Sequence, residues 1–415
     1  MSPHTLSASD HSSERLGERL HGLDALRGGA LLLGVVLHAS LAYFPFPLWI
    51  VPDTAGSPVA SGILFVIHLF RMTTFFLLAG LFGHMMLSRK GPGGLIKDRL
   101  ARIASPLFGL WWVIFPSIVA VMIWMAAINN GGSLPADAPP PPPLTLQNLP
   151  LTHLWFLWML LILYTGILIL RAPFALLDRN GAWGRMVDRL TGALIGPWSP
   201  ALIGAPLAVA FWFTPNWIAF FGIPTPDYGL VPNFTALTAF GTAFTIGFLL
   251  DRRRDLLGRI ERLWPMFTVV ALGAGAGAMA VAGGPVPVLE PMTDPSTKAF
   301  AACVYAFAAF ASTFAVIALS LRFMSGYSAV RRYLADASYW VYIVHLPLVL
   351  VAQVLLLDAP WAWWVKMSVV VASVMAVALI TYELLVRHTF IGKGLNGRRI
   401  PWRKAPAAAA AVPAE

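Results

Sequence analysis

Apolar stretches long enough to cross a bilayer recur along almost the whole chain, separated by short polar connections. A spanning helix takes about 20 residues. Runs of that length lie at roughly 24–48, 60–87, 104–128, 152–170, 200–221, 233–250, 265–284, 298–321, 338–357 and 362–386. The pattern predicts an all-α integral membrane protein of about ten transmembrane helices. A polar tail, 1–21, precedes a single helical domain, 22–387. A basic and then Ala/Pro-rich tail, 388–415, follows and is expected to be disordered. The first apolar run has no small-residue cleavage site at a suitable distance, so the first helix is expected to be retained and not removed as a signal peptide.

Composition agrees: of 415 residues 58% are hydrophobic and 12% charged, where a soluble domain carries roughly a quarter charged. The net charge of +10 suits a nucleic-acid partner, but the placement of the basic residues points to membrane orientation instead. Every second connection is basic: the one with Arg89, Lys90, Lys97, Arg99 and Arg102, then 171–189, 252–262 and 322–332. Counting the two tails with these connections, 25 of the 29 Lys and Arg fall on one side, and only Arg27, Arg71, Lys298 and Lys366 fall elsewhere. That asymmetry places the basic side, and with it both termini, in the cytoplasm. The opposite side carries Asp53, a stiff proline run at 139–143, Asp227 and 290–294, none of it large enough for a soluble domain. Cys303, the single cysteine, forms no intrachain disulfide. Gly273, Gly275 and Gly277 have the look of a dinucleotide loop, yet they sit in an apolar helix with no strand before them; close helix packing is the expectation.

Ionisable side chains inside a membrane are costly, so each is a functional candidate. Arg27 and His38 are eleven residues apart on the first span, nearly the same face and about 16 Å along the axis. Asp24 shares that face but lies about 21 Å from His38, too far to orient its imidazole. The second span carries His68 and Arg71, and a buried guanidinium there needs an anion. The fourth opens with His153, Leu154 and Trp155, expected at the outer interface. The ninth has His345 in its inner half, and the tenth has Tyr382 and Glu383 near its inner end. Together they suggest a polar path through the bundle. Plainer roles stand beside these: Asp24, Arg27 and Glu383 as interfacial pairs, His153 and Trp155 as belt residues, His345 as an interhelical hydrogen bond. His38 and Arg71 sit too deep to reach headgroups easily. Arg99 and Arg102, at i,i+3, can hold a phosphate as well as set topology.

These residues resemble the membrane acyltransferase 3 family, which modifies sugars and other cell-envelope acceptors. The match runs through Leu23-Asp24-Ala25-Leu26-Arg27-Gly28 to His38, then Phe75-Phe76-Leu77-Leu78-Ala79-Gly80, Arg99-Leu100-Ala101-Arg102-Ile103, Leu154-Trp155-Phe156-Leu157, and Ala337-Ser338-Tyr339-Trp340-Val341-Tyr342-Ile343-Val344-His345-Leu346-Pro347. His68-Leu69-Phe70-Arg71-Met72 leading into Phe75-Phe76 looks like the glucans biosynthesis protein C branch, similar to a succinyltransferase acting on osmoregulated periplasmic glucans.

The resemblance implies a multi-pass protein of the bacterial inner membrane that moves an acyl group from cytoplasmic acyl-CoA to a hydroxyl on the far side. Succinyl is favoured and acetyl is the alternative. No permanently bound cofactor, no metal and no nucleic-acid partner are expected. The catalytic candidates are His38, His68 and Arg71: His38 as the base for the acceptor hydroxyl or as a covalent acyl carrier, with the base favoured; Arg71 on a succinyl carboxylate or the oxyanion; His68 positioning it. Asp24, Arg27, Arg99, Arg102, His345 and Glu383 are the candidates on the coenzyme A side, and His153 and Trp155 on the sugar side. A transporter or flippase for an envelope precursor is the competing class, although no matching pair of interrupted helices marks inverted repeats. An inactive assembly or sensor scaffold is a third, which the Arg27 and His38 pair weighs against.

Overall fold

Helix starts follow local capping chemistry. Ser57 accepts a hydrogen bond from the Val59 amide at 3.2 Å, Asn233 from Ala236 at 2.8 Å, and Asp294 from Thr297 at 2.7 Å. Proline follows Ser57 and Asp294 directly, where its missing N–H costs nothing. The computed structural model describes residues 8–134 and 143–396, the side chains of 8–20, 175 and 396 excepted. The first seven residues, the prolines at 139–142 and the tail beyond 396 lie outside the described residues. The helices are α1 (Ala8–Ser40), α2 (Pro58–Arg99), α3 (Ser105–Asn129), α4 (Trp155–Leu177), α5 (Ala182–Leu194), α6 (Ser199–Trp212), α7 (Phe234–Arg252), α8 (Asp255–Arg262), α9 (Trp264–Val281), α10 (Pro295–Phe323), α11 (Ala329–Leu355), α12 (Trp363–Thr381) and α13 (Phe390–Asn396). Among the described residues there is no strand, only an isolated bridge between Pro150 and Tyr228.

Among the described residues, eight helical runs are long and apolar enough to cross a membrane, or nine if α5 and α6, bent by 103°, form one span. The 72-residue run Pro58–Asn129 holds two of the expected spans, 60–87 and 104–128. It breaks at Gly91, whose φ of +67° favours glycine, with Pro92 next. The expected span 200–221 falls short: α6 has 14 residues, about 21 Å against a hydrocarbon core of about 30 Å. Pro215 and left-handed Asn216 (φ +49°) follow its end, and Trp217 folds back to stack on Phe211 at 4.2 Å. Part of the expected tail is ordered: Phe390–Asn396 forms α13, with Leu395 buried.

Lipid tails are as apolar as leucine, so helices associate here through close approach of small residues. A Cβ on Gly80 of α2 would collide with the Phe244 carbonyl oxygen of α7, and one on Gly247 of α7 with the Leu77 carbonyl oxygen of α2. The glycines of α9 divide: Gly275 faces Leu69 of α2 and Gly277 faces Val304 of α10, whereas Gly273 meets nothing within 4 Å. At the basic end, α2 and α7 are also clamped by polar groups. Asp251 accepts from His84 Nδ1 at 2.7 Å and from Arg254 Nε at 2.8 Å.

Candidate active site

Three histidines from distant parts of the chain meet deep in the bundle. The ring centroids of His38 (α1) and His345 (α11) are 5.2 Å apart, and those of His345 and His153 5.0 Å. His345 therefore lies beside His38, at the heart of the site, not with the coenzyme A groups expected nearer the basic end. His153, expected at the outer interface, is only 7% exposed. The loop before α4 brings it there: Trp111, in the second turn of α3, donates its indole N–H to the Pro150 carbonyl at 2.9 Å. From Trp111 to the end of α3 the helix rises about 27 Å, so the chain re-enters the bundle before α4 begins. Irregular backbone at such depth is tolerated only where protein surrounds it.

One proline organises the cluster. Pro347 has no N–H, so within α11 the carbonyl of Ile343, four residues earlier, loses its helical donor. His153 Nε2 supplies one at 3.0 Å. His345 Nδ1 sits 2.6 Å from the Tyr342 carbonyl, and the Tyr342 hydroxyl donates to the His153 carbonyl at 2.6 Å. A carbonyl only accepts, so His345 carries its proton on Nδ1 and His153 on Nε2. His345 Nε2 is then a bare lone pair, buried with no hydrogen-bond partner, as is Nδ1 of the half-buried His38.

Arg71 completes the site. Its guanidinium lies against Gly34, one turn before His38: a Cβ there would stand 2.5 Å from Arg71 Nη1 and 3.7 Å from His345 Nε2. Of the four cations outside the basic connections and tails, Arg27 pairs with Asp24 at 3.2 Å, Lys366 with Asp53 at 2.8 Å, and Lys298 donates to the Thr214 carbonyl at 2.7 Å. Among the described residues no carboxylate comes within ion-pair distance of Arg71, and its Nε is buried without a partner. An uncompensated guanidinium at this depth is held at a cost that an anionic ligand removes.

On the basic side of this cluster opens a cavity of about 460 Å³. Arg27, Arg89, Lys90, Arg99 and Arg102 line its rim, and Leu31, Phe75 and Phe156 its apolar inner end. The Arg99 guanidinium lies over the Tyr164 ring at 4.7 Å and donates to its hydroxyl at 3.2 Å. Arg102 Nε pairs with Asp98 at 3.1 Å, while the Arg102 carbonyl accepts from the Tyr339 hydroxyl. A π-helical turn, Leu100–Ala104, carries Arg102, a distortion common at functional sites. Leu395 of α13 closes one side. The cavity stops short of the imidazoles: Leu31 and His38 are seven residues apart, about 10 Å along α1, with Gly34 and Arg71 between.

Other expected residues take different places. Asp24 lies in a separate depression with His21, Arg331 and Arg332. Glu383 binds Arg387 at 2.8 Å, His388 at 3.1 Å and the Tyr333 hydroxyl at 3.2 Å, outside the cavity wall. His68 lies beside the backbone of Phe221 and Ile223. Trp155 is 8% exposed and stacks on Phe240 at 5.5 Å, so its indole is not offered to the outer surface. Sequence patterns did not single out Trp49, stacked on His38 at 5.8 Å, or Gln353, which ties Trp49 to α1. The signal for Gln353 was an amide in an apolar run; Trp49 had none.

The family model described as an acyltransferase domain, acyltransferase 3, matches residues 20–383, nearly the whole chain. The chain belongs to this family. The acyltransferase is also 30% identical over 148 residues to proteins named "Glucans biosynthesis protein C" from Salmonella schwarzengrund (strain CVM19633), Salmonella typhi and Salmonella typhimurium. That similarity covers 35% of the acyltransferase and 38% of each relative. No solved structure matches it.

Proposed function

We propose that the protein is a transmembrane O-acyltransferase that carries an acyl group, succinyl in preference to acetyl, from acyl-CoA to a hydroxyl of a periplasmic glucan or similar envelope saccharide. The basic end faces the cytoplasm of a bacterial inner membrane, as the distribution of Lys and Arg favours. Arg71 carries this reading: a half-buried side chain with no carboxylate within ion-pair distance among the described residues and its Nε buried without a partner, set between the cavity and two unpartnered imidazole nitrogens. The relatives' name supports a glucan acceptor.

Acyl-CoA enters at the basic rim, its phosphates beside Arg27, Arg89, Lys90, Arg99 and Arg102 and its pantetheine arm along Leu31, Phe75 and Phe156. The thioester then meets Arg71, which takes the distal carboxylate of a succinyl group by charge-assisted hydrogen bonds. His38 removes the proton of the acceptor hydroxyl, and the oxygen attacks the thioester carbonyl. The carbon–sulfur bond breaks, and the imidazolium returns its proton to the departing thiolate. His345, locked on Nδ1, turns its bare Nε2 towards the same space and steadies the charge that develops on His38.

The test is release of free coenzyme A thiol from succinyl-CoA or acetyl-CoA by the purified protein, dependent on added glucan. His38→Ala should lower it by about 10²–10⁴-fold with insertion unchanged; normal turnover in that variant excludes the base. Arg71→Ala should slow succinyl transfer more than acetyl transfer, whereas equal losses would assign Arg71 to the oxyanion. A transporter would release no thiol.

A further inference from the structure

The chain between α1 and α2 folds as a strap over the far side of His38. Its base is pinned by backbone bonds from Asp53 N to the Ala42 carbonyl at 2.9 Å and from Ser57 N to the Tyr43 carbonyl at 2.8 Å. At its crest Trp49 lays its indole over the imidazole of His38, centroids 5.8 Å apart and planes 29° from parallel. His345 occupies another side of the same ring. The indole N–H donates to Gln353 Oε1 at 2.9 Å, and Gln353 Nε2 donates to the His38 and Ala39 carbonyls at 3.2 and 3.3 Å. Those carbonyls lie in the last turn of α1, where helical donors run out. One buried amide thus satisfies the helix end and fastens Trp49 to the turn that carries His38.

A second fastening is ionic. Lys366, in the first turn of α12, reaches Asp53 at 2.8 Å and the Leu357 carbonyl at 2.9 Å, with the Lys and Asp side chains 3% and 4% exposed. Asp53 also accepts from the Ala55 amide at 2.8 Å. A buried pair adds little net stability but is costly to break on one side only, so it fixes position. Both fastenings act on the segment that separates His38 from the far end of the bundle.

We propose that Trp49 determines acceptor access: on the function read above, an acceptor hydroxyl reaches His38 from the far end only past this indole, and Gln353 and the Asp53–Lys366 pair set how far it opens. Trp49 is half-buried, so part of it remains accessible. Indole and saccharide ring faces are matched surfaces, apolar C–H against π-electrons. Trp49 accordingly selects a ring-bearing acceptor and leaves acyl-CoA binding, on the other side of Arg71, unaffected.

A histidine-directed reagent tests the claim without turnover. Diethyl pyrocarbonate labelling of the purified full chain, read at each histidine by peptide mass spectrometry, should rise at least about fivefold at His38 in Trp49→Ala. The paired variant Asp53→Asn with Lys366→Met releases the strap without leaving a lone buried charge and should give the same rise. His84, held by Asp251 at the basic end, is the internal control and should not change. Unchanged His38 labelling in both variants overturns the proposal. A parallel rise at His84 in both would make Trp49 a packing residue and overturn it equally. With turnover, Trp49→Ala should raise the KM for glucan several-fold and leave that for acyl-CoA alone; the reverse split also overturns it. If the unmodified protein released no thiol at all, the functional reading would fall while the labelling result stood.

Discussion

At the scale of single residues, the site turns on a side chain that is missing. Gly34 lies inside α1, where alanine would be favoured by about 1 kcal/mol on helix propensity. The space a Cβ would fill belongs to the tip of Arg71, 2.5 Å away. That tip is the far end of a flexible side chain, so Gly34→Ala is accommodated by moving the guanidinium and not by unfolding α1. The expected outcome is a Tm equal to or above that of the native protein, with kcat/KM for succinyl-CoA down at least tenfold. Thermal unfolding and donor kinetics on the same sample check it. Native-like kinetics in Gly34→Ala would show that where Arg71 sits has no bearing on transfer.

At the scale of elements, α11 carries more of the site than its apolar sequence suggests. Its stretch from Ala337 to Pro347 was legible as a motif, and so was His345 as a costly polar residue. What the motif does was not, because a missing hydrogen bond has no side chain to announce it. Pro347 frees the Ile343 carbonyl, and the donor that answers is His153, 190 residues away in sequence. Spacing along α1 placed Arg27 and His38 correctly on one helix, since a helix has a fixed rise and period. Position across the bundle is set by loops: the re-entrant turn before α4 moved His153 inward, and the strap before α2 brought Trp49 onto His38. Neither follows a repeating pattern that a sequence can display. Pro347→Ala should restore the helical N–H, which then competes with His153 for the Ile343 carbonyl. Helix stability should rise or hold, while turnover falls about three- to tenfold, the equivalent of one hydrogen bond of about 1 kcal/mol. Turnover equal to native would mean that the His153 anchor is dispensable.

At the scale of the whole molecule, the alternation of basic and polar connections predicted about ten spans. The helical runs keep that plan except at α6, which is too short to span alone and bends sharply against α5. On the proposed function, the consequence of the plan is that the two halves of the reaction open in opposite directions. The cavity has its arginine and lysine rim at the basic end, and the strap with Trp49 covers His38 from the other. Coenzyme A, with its phosphates, does not cross a bilayer unaided, so sidedness is measurable. In sealed vesicles with the basic end outward, external succinyl-CoA should be consumed and the acyl group delivered to glucan enclosed in the lumen. In vesicles of the opposite orientation the same external donor should give no thiol release until detergent is added. If the rim holds the donor's phosphates by charge, as proposed, consumption should also weaken as salt is raised, and Arg99→Gln should raise the KM for acyl-CoA while leaving that for glucan unchanged. Equal donor use from both faces would mean that the cavity and the strap do not divide the molecule into a donor side and an acceptor side, and the path through Arg71 would have no direction.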